Sequence, residues 1–182
     1  MPRFVAFLRA INVGGHVVTM DRLRALFESR KFQQVETFIA SGNVIFNARE
    51  PDVAKLELVI EAQLLDALGY EVKTFVRGAA EVARISRACP FDESRVSSAG
   101  AFCVGFLARP LTADERELLF SLKTQIDDFH IDGREFYWIC QKRQSDSKFS
   151  NVVFERKVKL RTTIRGLSTM QKLAKKLGDR EG

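Results

Sequence analysis

"VETFIASGNVIFN", residues 35–47, contains two runs of strand-type residues, 35–39 and 44–46, separated by a cluster of turn formers at 40–43. β-branched and aromatic residues that break at such a cluster read as a hairpin, with Gly42 at the centre of its turn. The segments on either side have helical spacing, and this placement of a hairpin between two helices decides the fold. Upstream, Thr19 is the expected N-cap of a first helix and Asp21 lies in its favourable first turn. Met20, Leu23, Leu26 and Phe27 recur at helical intervals until about residue 30. Downstream, Pro51 is expected in the first turn of a second helix. Val53, Leu56, Ile60, Leu64 and Leu68 form that helix's buried stripe, and Gly69 ends it.

Outer strands complete the pattern. Residues 4–9 alternate, with Phe4, Ala6 and Leu8 on one face and Val5, Phe7 and Arg9 on the other. Residues 70–77 give a fourth strand. The order is βαββαβ, the ferredoxin-like arrangement, so the fold class is α+β. Helices cover one face of such a sheet. The other is expected to carry Phe7, Phe38, Ile45 and Phe75 among Arg9, Lys73 and Arg77, too apolar to leave in water, and a second unit is expected to cover it.

A helix is predicted over 78–88, and "PFDESRVSSAG" at 90–100 reads as a boundary. The second unit opens with an apolar strand at 100–108. "TADE" at 112–115 is a capping box before a helix containing Leu118, Leu119 and Leu122. In "IDDFHIDGREFYWI", residues 126–139, Asp132 and Gly133 are the expected two-residue turn, setting Phe129 opposite Phe136 and His130 opposite Glu135. The tail from 151 reads as two helices. The latter buries Leu167, Met170, Leu173, Ala174 and Leu177, ends at Gly178, and turns Lys172, Lys175 and Lys176 outward. The expected organisation is a ferredoxin-like subdomain at 1–90 and a second subdomain at 99–182, a partial βαββ repeat with C-terminal helices.

Composition is that of an ordinary globular chain: 46% of its 182 residues are apolar and 29% charged, which argues against disorder. The start lacks a signal-peptide pattern, and no apolar run approaches the ~20 residues of a spanning helix. A cytoplasmic protein without membrane contact is expected. Cys89, Cys103 and Cys140 have no CxxC spacing and read as buried reduced thiols. No HExxH, GxSxG or Cys/His cluster is present, so neither metal nor cofactor is expected. Asp127 and Asp128 adjoin on a strand, point to opposite faces, and cannot easily share acid–base work.

The chemistry-bearing candidates are loops. "NVGG" at 12–15 lies between a strand and a helix, where exposed amides favour an anion, although it is neither a Walker loop nor a GxGxxG motif. Its plainer role is a sharp turn that needs positive φ. His16 is the one nearby acid–base candidate for an enzyme acting on a small phosphorylated or nucleotide-like substrate. The net charge of +6 permits anionic partners. Arg156, Lys157, Lys159, Arg161 and Arg165, with the lysines after them, offer sequence-independent nucleic-acid binding. The chain lacks the aromatic pattern of an RNA-recognition motif: its third strand reads "SGNVIFN".

"FVAFLRAINVGG" at 4–15, "IASGNVIF" at 39–46 and "TTIRGLSTMQKL" at 162–173 together resemble the bacterial family catalogued as domain of unknown function 1697. Relatives usually read LRGINVGG, so Ala10 stands where they carry glycine. Their last motif commonly resembles TxRNWxT; this chain keeps Thr163, Arg165 and Thr169 but has Gly166 and Leu167 where Asn and Trp are typical. The resemblance implies two associated α+β subdomains and no established activity, substrate or cofactor. Taken jointly, the three motifs suggest a donor-rich site between subdomains for a small phosphate- or carboxylate-bearing ligand. Its expected residues are Arg9, Asn12, Gly14, Gly15, Ser41, Gly42, Asn43, Thr163 and Arg165. The same residues equally suit capping and structural hydrogen bonding.

Overall fold

A computed structural model describes residues 1–39 and 42–178. The chain divides into two compact units, one formed by Met1–Ile85 with the chain from Lys172 onward, the other by Ser86–Gln171. The division falls earlier than the Pro/Ser/Gly-rich stretch at 90–100. That stretch contains a short helix of its own, Glu93–Ser97.

The first unit runs β1 (Arg3–Leu8), α1 (Met20–Glu28), β2 (Gln33–Thr37), β3 (Asn43–Asn47), α2 (Val53–Leu68), β4 (Thr74–Gly78) and α3 (Ala79–Ser86). Its antiparallel sheet has the order β2-β3-β1-β4. Thr19 caps α1, its hydroxyl accepting from the Arg22 amide at 3.2 Å. The cap of α2 is Asp52, whose carboxylate accepts from the Ala54 amide at 2.9 Å, so Pro51 stands before the helix and not in its first turn. Gly69 ends α2 at φ +79°. Leu23 and Phe27 of α1 and Leu56, Ile60 and Leu64 of α2 close over Phe4, Ala6, Leu8, Val44, Phe46 and Val76. Phe46 lies 4.7 Å from Phe32 and 5.5 Å from Phe27 between ring centroids. On the opposite sheet face Phe7, Ile45, Phe75 and Arg77 are also fully buried.

The second unit continues with α4 (Glu93–Ser97), β5 (Ala101–Phe106), α5 (Ala113–Phe120), β6 (Asp127–Asp132), β7 (Glu135–Cys140), α6 (Asn151–Val158) and β8 (Thr163–Gly166), followed by α7 (Leu167–Gly178). The order β6-β7-β5-β8 repeats that of the first sheet. The repeat is therefore complete, βαββαβ, and not partial. β8 lies between the two helices read in the tail and is not expected from the sequence, because a four-residue strand gives too little alternation to stand out. The capping box forms as expected: Thr112 and Glu115 satisfy each other's backbone amides. Leu122 lies past the end of α5.

Hairpin β6–β7 corrects the expected register. Asp132 pairs with Glu135, so Gly133 and Arg134 form the turn. Gly133 has φ +58° while Arg134 has negative φ, the pattern of a type II′ turn and not of the type I′ turn that Asp-Gly would make. Moving the turn by one residue moves the register by two. Phe129 therefore faces Trp138, and His130 faces Tyr137. Side chains keep their faces, since a two-residue shift preserves the strand period. Gly105, opposite Phe136, has no room for a side chain: a Cβ there would meet the Phe136 ring at 2.2 Å.

Candidate functional site

The glycine loop, residues 9–18, is fixed at both ends and exposed between them. At its base the Leu8 amide donates to the Gly42 carbonyl at 2.8 Å, and the Arg9 amide to the Lys73 carbonyl at 2.9 Å. The start of the loop thus meets Gly42, just before β3, and Lys73, just before β4, at one end of the first sheet. Ala10 takes a left-handed φ of +54°, and Ile11 is buried. The Tyr70 hydroxyl donates to the Ile11 carbonyl at 2.7 Å. At the far end the Asn12 side-chain oxygen accepts from the Val18 amide at 2.8 Å.

Between these anchors Val13, Gly14, Gly15, His16 and Val17 are exposed. Gly14 and Gly15 have φ +67° and +84°, and nothing lies within 4 Å of where a Cβ would stand on either. Their glycine identity is therefore required by backbone conformation and not by close packing. Among the described residues neither amide has a hydrogen-bond partner. The His16 imidazole stacks on Tyr70, centroids 3.9 Å apart and planes 21° from parallel. No carboxylate pairs with it among the described residues, so His16 lacks the orienting acid of a catalytic dyad.

The other predicted site residues fall as follows. Asn43 is buried, and its amide nitrogen donates to the Phe38 and Ile39 carbonyls at 3.0 and 3.1 Å, tying the start of β3 to the chain just after β2. Ser41 lies outside the described residues. Thr163 and Arg165 belong to the second unit and stand two apart on β8, opposite Phe106 and Val104. The Arg165 guanidinium donates to the Thr163 hydroxyl at 2.7 Å and to the Ile164 carbonyl at 3.0 Å. Burial lowers the Arg165 pKa to about 10, which leaves it protonated at neutral pH. Tyr70, which holds the loop and stacks on His16, carries no spacing signal that would have marked it; the sequence places it only at the head of a strand.

Elsewhere the titratable groups have structural partners. Asp127 is buried and accepts from Trp138 Nε1 at 2.9 Å, Ser147 Oγ at 2.8 Å and Thr124 Oγ1 at 2.8 Å. Asp128 pairs instead with Arg95 at 2.9 Å and Lys123 at 3.0 Å. The two acids share no partner, as their alternation on a strand requires. His130 lies 6.4 Å from the Tyr137 ring, not against Glu135. Cys103 and Cys140 are buried, and burial pushes the Cys103 thiol up to about 11, which suppresses its thiolate. Cys89 is exposed, contrary to the expectation of three buried thiols. Lys176, expected to face outward, pairs with Glu36 and lies over the Phe38 ring at 5.8 Å. Among the described residues no group of three His, Cys, Asp or Glu side chains could hold a metal ion. No described helix is long and apolar enough to cross a membrane.

Two antiparallel sheets of identical strand order, each flanked by helices, define an α+β protein of two ferredoxin-like units. The chain belongs to the family described as protein of unknown function (DUF1697), whose model matches residues 1–137. Among solved structures it is similar to the conserved bacterial protein SP0830 from Streptococcus pneumoniae. That likeness has a TM-score of 0.74 at 20% identity and covers 98% of this chain and 99% of the other. No curated protein matches the sequence.

Proposed function

We propose that the protein binds a small anion, a phosphate- or carboxylate-bearing molecule, at the glycine loop of its first unit. The observation that carries this reading is the pair of exposed, unpartnered amides at Gly14 and Gly15, held in adjacent left-handed conformations by a loop anchored at both ends. Successive main-chain N–H groups in such a turn attract negative charge without needing a titratable side chain. Arg9 at the loop's base and the net charge of +6 favour the same ligand sign. The loop supplies donors and no acid–base pair, so binding fits it better than turnover.

Thermal-shift titration with inorganic phosphate, nucleotides and dicarboxylates tests this. Saturable stabilisation by at least one of them is expected in the wild type, with loss of the response in Gly14→Val. Stabilisation by none of them, or an unchanged response in Gly14→Val and Gly15→Val, contradicts it.

A second reading has one observation behind it: Arg156, Lys159 and Arg161 line a single groove on the second unit beside one acid, Glu155, which lies 3.8 Å from Arg161. Three cations so placed suit the phosphates of a nucleic acid. Binding there would give a log–log salt slope of about −3, reduced by Arg156→Ala and untouched by Gly14→Val.

A further inference from the structure

We infer that the outer face of α2 is a self-association surface on which a second copy of this chain docks its own α2 in antiparallel orientation. α2 buries Leu56, Ile60 and Leu64 in the core of the first unit. The turn-by-turn geometry puts Lys55, Leu58, Val59, Ala62, Leu65 and Asp66 on its other side. Leu58, Val59 and Leu65 are 65%, 42% and 45% exposed, and Ala62 between them is exposed as well. Scattered apolar residues on a surface need no explanation, but three large ones within two turns of one helix make a stripe.

The charges at the ends of the stripe select the occupant. Lys55 stands at its N-terminal end and Asp66 at its C-terminal end. When two such helices cross in antiparallel fashion over Ala62, the two-fold axis sets Leu58 and Val59 of each copy against Leu65 of the other. It also brings Lys55 within about one helical turn of Asp66 of the other copy, given the 1.5 Å rise per residue. A parallel pairing would instead set like charges together. The small Ala62 at the crossing lets the helix axes approach, and the contact is self-complementary, as a two-fold interface demands. Lys55 is held within its own chain only by an exposed pair with Glu50 at 3.8 Å. Asp66 has no ion-pair or hydrogen-bond partner among the described residues. One helix pair buries less than the roughly 1,200 Å² of a standard interface, so the association is weak and concentration-dependent.

Sedimentation analysis of the full chain over a range of concentrations tests this. The expected result is a reversible monomer–dimer equilibrium, with a dissociation constant raised about tenfold or more by Leu58→Glu. Lys55→Asp and Asp66→Lys each weaken the dimer, and the double variant restores it, which only the antiparallel arrangement predicts. All three positions are solvent-facing, so an unchanged Tm confirms that each variant folds. A chain that stays monomeric throughout, or a dimer indifferent to Leu58→Glu and to the charge exchange, overturns the proposal; the monomeric result reassigns the stripe to a different protein partner.

Discussion

Ala10 shows how one residue both joins this chain to its relatives and sets it apart. It occupies the position where the resembling motif carries glycine, and it has φ +54°, a conformation that costs an L-residue about 1–2 kcal/mol. Ala10→Gly should therefore stabilise the protein by up to about 1 kcal/mol, the strain relief outweighing the greater chain entropy of glycine in the unfolded state. Urea denaturation would show this as a higher midpoint with unchanged m. Gly14 and Gly15 reverse the case, because any side chain there meets the same backbone penalty although space is open. Their need for positive φ was legible in the sequence, since adjacent glycines after a strand have few other uses. The stacking of His16 on Tyr70 was not: residues 54 apart in the chain are joined by the fold and not by any local pattern.

Edge strand β4 shows what periodicity hides at the level of elements. Its alternate amides point away from β1, and carboxylates take all three. Thr74 donates to Glu61 at 3.0 Å, Val76 to Glu57 at 2.8 Å and Gly78 to Glu81 at 2.9 Å. Glu57 and Glu61 are one helical turn apart on α2, so a single helix covers most of an edge that would otherwise offer itself to another strand. The second unit has a counterpart: Glu155 of α6 accepts from the Thr162 amide at 3.1 Å, beside β8. Sequence reading gives the helix its apolar stripe and leaves these acids to solvent, because nothing local indicates that a buried strand amide is their partner. Glu57→Ala strips the Val76 amide of its acceptor and the buried Arg77 of a carboxylate 3.8 Å away. A loss of about 2–4 kcal/mol is expected in denaturant unfolding, with faster hydrogen exchange at Val76, and a smaller loss for Glu57→Gln.

The capping box of α5 carries a pH signature. Arg109 grips Glu115 through two hydrogen bonds of 2.8 Å, and the Thr112 amide adds a third at 2.8 Å. Together they hold the Glu115 carboxyl down at about 2, against an ordinary 4.5. A depressed folded-state pKa stabilises above the unfolded value and loses that contribution as pH falls through the folded one. Arg109→Ala should therefore lower Tm at neutral pH, with the deficit shrinking between pH 4.5 and 2, and an NMR titration should show Glu115 moving toward its ordinary range. Arg109 is half exposed, so the effect is small and diminishes with salt.

At the scale of the whole molecule, two copies of one topology share a chain. The strand and helix order of the first was legible, because its helices have long apolar stripes and clear caps. The second was read through three strands and two helices, without its last strand. β8 escaped because four residues between two helices give no alternation of their own, and with it went the correct setting of Thr163 and Arg165 as strand residues. The proposed anion site rests on a loop of the first unit, where conformation and not side-chain chemistry supplies the donors. The most direct test is a titration of the ¹⁵N-labelled chain with inorganic phosphate, following the backbone amides. Saturable shifts centred on Gly14 and Gly15, absent from a chloride control at equal ionic strength, are the predicted result. Unmoved Gly14 and Gly15 signals, or shifts spread evenly over the basic surface without saturation, would contradict it.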